Sequence, residues 1–567
     1  MKNKQVCLHQ PQNDALKSMS RNIKAITLGR KEQSVSLALL CLCSFITHGE
    51  NLECMPQTDA SDSFTIDKML FINHPVFDED KADALYIHHL ANWLHINTQA
   101  QVIQDLLPFA EKDRVYQAQL SEAERLLNQH SFLRKSKISR ITDCQNPEKN
   151  KLKVETWDTW SLMPSVSFGR RAGNNKYAFG FKEDNFLGLG IHEGVQYKKD
   201  HLRSGYQFAF NMPLNFPQHS SLELEFTDND DGEKIAVSFS KPFYVQSSQQ
   251  QYAVSILKEN RHDSIEQNGE LAWQFSHDIK RSALSYGHLI TQNEQGAFRL
   301  LLGIDKEQHR FADLNSQVLS FLPVDRGFTA PWLGLEYKQE NYTILSNIRF
   351  IDHREDINLG WQFMTKFGVD TDSLSDNNGH GIHVENKLSK GLQLNNTLLL
   401  FSVSNKAYWQ EKQTNHRQLS AELELHQYFS PHWSAYLKSQ YVNEKNQYLD
   451  APLALGGDTG VRGYSNQYQH GEHLWSANAE LRFNPHWQLY QLVNVAWAGF
   501  VDSGRAWGNT QTANSTNSSL HSLGLGARLF SSHSSEGNVV HMDIIKPLTT
   551  GVNIDSWQWR LQVKKSL

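Results

Sequence analysis

The run Leu492–Gly504 constrains this chain more than any other stretch. Side chains on a strand alternate faces. Val493, Val495, Trp497 and Val501 therefore share one face, and Asn494, Phe500, Asp502 and Gly504 share the other. An apolar face opposite one that carries a carboxylate is what a membrane barrel strand needs, with lipid outside and a polar lumen inside. The same alternation recurs from Met163 onward. Tyr177, Phe179 and Phe181 alternate with Ala178, Gly180 and Lys182. In Ser556–Lys564, Trp557, Trp559, Leu561 and Val563 alternate with Gln558, Arg560, Gln562 and Lys564.

Composition hides this pattern. Only 39% of the residues are hydrophobic, and mean hydropathy is −0.54, values that suit a soluble protein. No apolar run reaches the roughly 18 residues of a membrane helix. A barrel escapes hydropathy because every second residue is polar. The 14 Trp suit interfacial girdles. A net charge of −6 offers no basic surface, so nucleic acid is not an expected partner.

Enzyme motifs are missing. The sequence holds no G-x-S-x-G elbow, P-loop, H-E-x-x-H or C-x-x-C. His88-His89 has no partner at metal-ligand spacing and reads as a solvated pair. Asp228–Gly232 resembles a calcium loop superficially, but Phe239 stands where the bidentate Glu belongs, so it reads as a hairpin turn. No catalytic residue, cofactor or metal is expected.

The N-terminus reads as a signal peptide over residues 1–49, with Met19 as an alternative start. Arg21–Lys31 is basic, Ser34–Ile46 is apolar but too short to span, and small residues follow. Residues 50–62 form a short leader. Of five cysteines, Cys54 and Cys144 survive cleavage. An even count in an exported protein suggests a disulfide; two unrelated thiols are the alternative. Over 63–160 the pattern predicts β-α-α-β-β. Ser63–Asn73 alternates, Thr98–Leu107 is helical and ends at Pro108. Ser121–Glu124 is a capping box opening a helix to Gln129. Phe132–Ile138 leads into a second strand, and Leu152–Asp158 is strand-like.

The stretch Leu455–Tyr464 (LGGDTGVRGY) reads as a glycine-rich loop, yet it carries Arg462 between Val461 and Tyr464. Val461-Arg462-Gly463-Tyr464, the alternating strand Ser476–Phe483, and then Phe500-x-Asp502-x-Gly504 together resemble the BamA/TamA/TpsB superfamily of outer-membrane assembly and secretion barrels. The resemblance is strongest over Leu453–Leu567 and runs more weakly back to about Phe64. It implies that the tip of the sixth outer loop tucks into the barrel, where Arg462 meets Asp502. Glu480, on the polar face of its strand with Ser476, Asn478 and Arg482, is expected to join them. Asn185–Gly190 resembles the N-x-L-G-x-G turn near the start of such barrels. Region 63–160 is similar to a single POTRA domain, a periplasmic module that binds extended clients by strand addition.

The fold so implied is a transmembrane barrel of sixteen antiparallel strands over 163–567, preceded by one small α+β POTRA-like periplasmic domain. Counting alternating runs by eye gives about twenty to twenty-two, but the family number is sixteen. The function implied is assembly: inserting or translocating outer-membrane proteins through a lateral seam between the first strand, Met163–Arg170, and the last, Ser556–Leu567. The alternatives are a two-partner secretion pore for one dedicated exoprotein and a structural or lipid-trafficking barrel. Secretion pores carry two POTRA domains and a longer plug segment, for which 50–62 leaves no room. The expected partners are outer-membrane lipid and unfolded outer-membrane or exported client proteins. The expected location is the outer membrane, with the N-terminal domain in the periplasm. The terminus Lys565-Ser566-Leu567 departs from the family's aromatic end.

Overall fold

The structure is a computed structural model that describes residues 53–54, 63–79, 85–143, 149–171, 174–293, 295–314, 322–370, 379–411, 414–457, 459–490, 492–511, 513–531, 533 and 537–564. The signal peptide, most of the leader, Cys144 and the terminal Lys565–Leu567 lie outside these residues, as does the side chain of Cys54.

The chain closes into a barrel of twenty antiparallel strands. These are β1 (Leu162–Arg171), β2 (Asn174–Phe186), β3 (Ile191–Lys199), β4 (Ser204–Leu214), β5 (Ser220–Asn229), β6 (Gly232–Lys241), β7 (Gln250–Gln267) and β8 (Glu270–Asn293). Then come β9 (Gly296–Ala312), β10 (Arg326–Lys338), β11 (Gln362–Asp370), β12 (Gly381–Leu394), β13 (Thr397–Gln410), β14 (His416–Tyr428), β15 (Trp433–Lys445) and β16 (His473–Leu489). The last four are β17 (Val493–Trp507), β18 (Leu520–Phe530), β19 (Val539–Pro547) and β20 (Gln558–Lys564).

The expectation of sixteen strands is therefore corrected to twenty. A backbone in lipid has no water to satisfy its polar groups, so every spanning run must pair on both sides. The runs in excess of sixteen are wall strands too, and pairing is long throughout: β5 pairs from Ser221 to Asn229 with β6, and β13 pairs from Thr397 to Tyr408 with β14. Asp228–Gly232 is the β5–β6 turn, with Gly232 at φ 147°. Two short pairs lie in the connections between wall strands: a hairpin of Tyr342–Ser346 with Arg354–Asn358, and a bridge of Ala454–Leu455 with Gln469–His470.

Burial follows the alternation. Along β18 buried and exposed positions change residue by residue from Leu520 to Gly526. Outward side chains such as Phe181, Tyr206, Leu525 and Ile544 are more than half exposed, as lipid-facing groups are in a bare barrel. No helix among the described residues is long and apolar enough to cross a membrane.

By contacts the chain forms two units, one of residues 1–72, 109–124 and 137–155, the other of the remainder, barrel included. The first holds most of a four-stranded sheet in the order Glu53–Cys54, Leu133–Asp143, Asn150–Asp158, Lys68–His74, and a pair of Ser63–Thr65 with Arg114–Tyr116. The helix expected to start at Ser121 begins at Gln117. The Gln119 side chain accepts from the Tyr116 N–H at 2.8 Å, and Glu124 accepts from the Ile138 N–H instead of capping.

In the second unit, helix Ala100–Leu106 matches the expected one, and a further helix, Tyr86–Leu94, was not anticipated. On it His88, expected in solvent, is buried and stacks on Phe77 at 4.5 Å. Thr98, the first residue of the expected helix, lies before it and donates from its N–H and Oγ1 to Asp158 at 2.8 and 3.0 Å and accepts from Asn185 Nδ2 at 2.9 Å. Asn185 Oδ1 in turn accepts from the Gly190 N–H at 2.8 Å, which closes the turn. A Cβ on Gly188, at φ 72°, would lie 2.4 Å from the Asn97 carbonyl oxygen, so only glycine fits there.

Candidate functional site: the filled lumen

The loop between β15 and β16 folds into the barrel. Val461 and Tyr464 are buried with Leu455, Tyr468, Leu474 and Leu520, an apolar core shared between the loop and wall strands β16 and β18 that holds the loop against the wall. Arg462 sits at its tip and is buried. Its Nε and Nη2 donate to the two oxygens of Asp502, both at 2.6 Å, and its backbone N–H donates to Asp502 at 3.1 Å. Its Nη1 donates to Glu480 at 2.7 Å. The guanidinium carbon lies 3.5 Å from the centre of the Phe500 ring, a close cation–π contact.

Each motif letter has a physical role here. Asp502 accepts the planar fork, which a lysine could not supply. Phe500 and Gly504 point to the same face as Asp502. A Cβ on Gly504 would lie 3.0 Å from Val461 Cγ2 and 2.8 Å from the Trp475 carbonyl oxygen, so the glycine lets the loop seat. Gly463 has φ 90°, and a Cβ there would meet Ile545 Cγ2 at 2.8 Å. The Tyr464 hydroxyl donates to the His521 carbonyl oxygen at 2.5 Å and accepts from the Thr549 N–H at 3.3 Å. All eight residues singled out from sequence thus meet at one place in the lumen.

The cluster extends beyond them. Arg482 Nε donates to Glu480 at 3.0 Å. Asp543 on β19 accepts from Arg528 on β18 at 2.6 Å and from Arg560 on β20 at 2.6 and 3.0 Å. Arg528 also approaches Glu480 to 3.6 Å. Four guanidinium groups and three carboxylates therefore cross β16–β20, and pairing in so buried a setting depends on all members. Inward parity was the available signal for Arg528, Asp543 and Arg560; their contacts join strands by pairing, which sequence order does not display.

A second element enters from the opposite end. The β10–β11 connection carries the hairpin Tyr342–Asn358. Its turn packs Ile351 and Phe350 against Ala496, Phe530 and Val539. Asn494 Nδ2 donates to the Ile351 carbonyl oxygen at 3.1 Å, and Arg482 Nη1 to that of Ile348 at 3.4 Å. Glu355 accepts from the N–H groups of Ile348, Arg349 and Phe350 at 3.1, 2.9 and 3.1 Å, which fixes the turn. Arg482 thus links both insertions, reaching Glu480 beneath the loop and Ile348 in the hairpin.

Residues 344–529, about one third of the chain, match the model of the family described as haemolysin secretion/activation protein ShlB/FhaC/HecB. The matched segment starts in the lumen hairpin and contains the whole Arg462–Asp502 site. Over these residues the chain is similar to that family, and its fold is a closed antiparallel β-barrel. No curated protein matches it by sequence. Among solved structures it is similar to BamA from Haemophilus ducreyi lacking POTRA domains 1–3, at 13% identity over 88% of this chain and 84% of that one, TM-score 0.40. It is also similar to CdiB from Acinetobacter baumannii, at 11% identity over 88% and 73%, TM-score 0.44. It is similar as well to the FrpB iron transporter from Neisseria meningitidis, at 7% identity over 74% of this chain and 84% of that one, TM-score 0.41.

Proposed function

We propose that this barrel inserts, or helps insert, outer-membrane proteins by opening between β1 and β20. The observation that carries this reading is the make-up of the two strands at the seam. Leu561 pairs with Arg170 where β20 meets β1, and residues 172–173 and 565–567 beside that pair lie outside the described ones. β1 contains Pro164, which lacks a donor, and Gly169, whose added Cβ would lie 3.2 Å from the Leu561 carbonyl oxygen. A cavity of about 560 Å³ opens beside the seam. Arg170 lies over the Trp559 ring at 5.2 Å, so side chains do part of the closing. An edge interrupted by a proline and a glycine can take a client strand by augmentation.

In this reading the Arg462 cluster locks the loop to the wall that ends at β20, and the region over 63–160 acts as a single POTRA-like periplasmic domain that hands over clients. A lumen filled from both ends favours lateral opening. The family match to secretion and activation proteins supports a second reading, export of one dedicated exoprotein. That route needs both loop and hairpin to leave the lumen.

The two part under one experiment. A disulfide is engineered from Ser167 to a scanned partner in Gln558–Lys564, and complementation is measured in a strain that lacks the protein. Loss of function on oxidation, restored by reduction, is the expected result. Full function in the locked barrel would sink the insertion reading and leave lumen export as the better account.

A further inference from the structure

A cluster of metal-ligating side chains lies away from Arg462. His277 on β8 and His309 on β9 are both buried, at 2% and 4% exposure. His277 Nδ1 lies 2.6 Å from an Asp263 oxygen, and His309 Nε2 is hydrogen-bonded to Glu307. Carboxylates accept only, so both outer nitrogens carry hydrogen. The inner nitrogens, His277 Nε2 and His309 Nδ1, then turn lone pairs toward each other 2.7 Å apart. Two facing lone pairs repel, and only a shared cation reconciles them: a proton or a metal ion. One ligand atom from each of His277, His309 and Asp450 falls within 4.8 Å of the others.

We propose that His277, His309 and Asp450 bind a divalent transition-metal ion of the zinc class. Two imidazoles and a carboxylate suit zinc, with a fourth position open to water. Each histidine already has the outer partner that metal-bound imidazoles use, Asp263 for one and Glu307 for the other. Arg326 forks Asp450 at 2.7 and 2.8 Å. That contact takes one lone pair from each oxygen and leaves others for an ion. Asp263 and Glu307 counter the nearby positive charge.

The ion would have a structural consequence. Asp450 lies in the same β15–β16 loop as Arg462, while both histidines belong to the β8–β9 wall. Metal binding would pin the base of the loop to that wall, in addition to the Arg326 fork on β10. The tip would stay held by Asp502, so the ion adds a second, separately controlled restraint.

The test uses the full chain in detergent micelles, stripped with a chelator and titrated with Zn²⁺ in a calorimeter. The wild type should take up one ion more than a His277→Gln/His309→Gln variant whose folding is checked by heat-dependent gel mobility. Asp263→Asn, which removes no ligand, should weaken uptake by about 10–100-fold. If the double variant fails to fold, Co²⁺ in the wild type supplies the readout: intense visible bands of a low-coordinate site, displaced by Zn²⁺ and weakened by Asp450→Asn. Equal stoichiometry in the wild type and a folded double variant would overturn the proposal. So would a Co²⁺ spectrum like that of the free aquo ion.

Discussion

Arg462 and Asp502, forty positions apart in sequence, are joined by two parallel N–H···O bonds of 2.6 Å and by a third bond from the Arg462 backbone. The backbone bond and the fork do different things. The backbone bond fixes where the loop tip sits, while the fork fixes which side chain can sit there.

Arg462→Ala should leave Asp502 buried without its fork, and Asp502→Ala should leave a buried guanidinium. Breaking a buried pair from one side costs about 3–5 kcal/mol. Both variants should convert from the folded to the unfolded gel form at a lower temperature and lose function in complementation. Arg462→Lys should restore little, because an ammonium group cannot fork. Wild-type behaviour of Arg462→Ala in both assays would exclude the lock.

Glycine positions on β17 should differ by face. Gly504→Leu would drive into Val461 and the Trp475 carbonyl, and should destabilise by about 1–3 kcal/mol. Gly499→Ala meets only the far end of Leu525 at 3.3 Å and should stay within about 0.5 kcal/mol of wild type. The two midpoints in heat-dependent mobility check this, and equal shifts would contradict the packing account.

Glu355→Ala strips the acceptor from three N–H groups of the lumen hairpin. The expected loss is about 1–3 kcal/mol, concentrated in the hairpin, because the wall strands pair without it. Single-channel recordings in planar bilayers should show larger or more frequent open events. Unchanged conductance would mean that the hairpin does not limit passage.

Cys54 and Cys144 are proposed to form a disulfide. Cys54 pairs in register with Thr142 through the backbone, so its strand runs beside the one that leads to Cys144. Such a bridge stabilises small exported domains by about 2–5 kcal/mol. Peptide mass spectrometry without reduction should find the linked pair. Two thiols open to alkylation in freshly purified protein would refute it.

Much of this protein was legible from residue order, because a barrel wall is written with a period of two. The inward face of β17, the outward Trp557 and Trp559, and the meeting of Arg462 with Asp502 all follow from parity and motif. The count of alternating runs also pointed to about twenty strands; preferring the family's sixteen was the error. Tertiary structure alone decided the rest. The hairpin Tyr342–Asn358 alternates like a wall strand, and nothing local says that its two short runs pair with each other inside the lumen. Arg528, Asp543 and Arg560 become one cluster only when β18, β19 and β20 are placed in register. His277 and His309 stand 32 positions apart and meet because β8 pairs with β9, while Asp450 joins them from a loop. Alternation tells which face a side chain takes, since that is set by the backbone of its own strand. Which partner it finds there depends on strand register and barrel closure, which are properties of the whole chain.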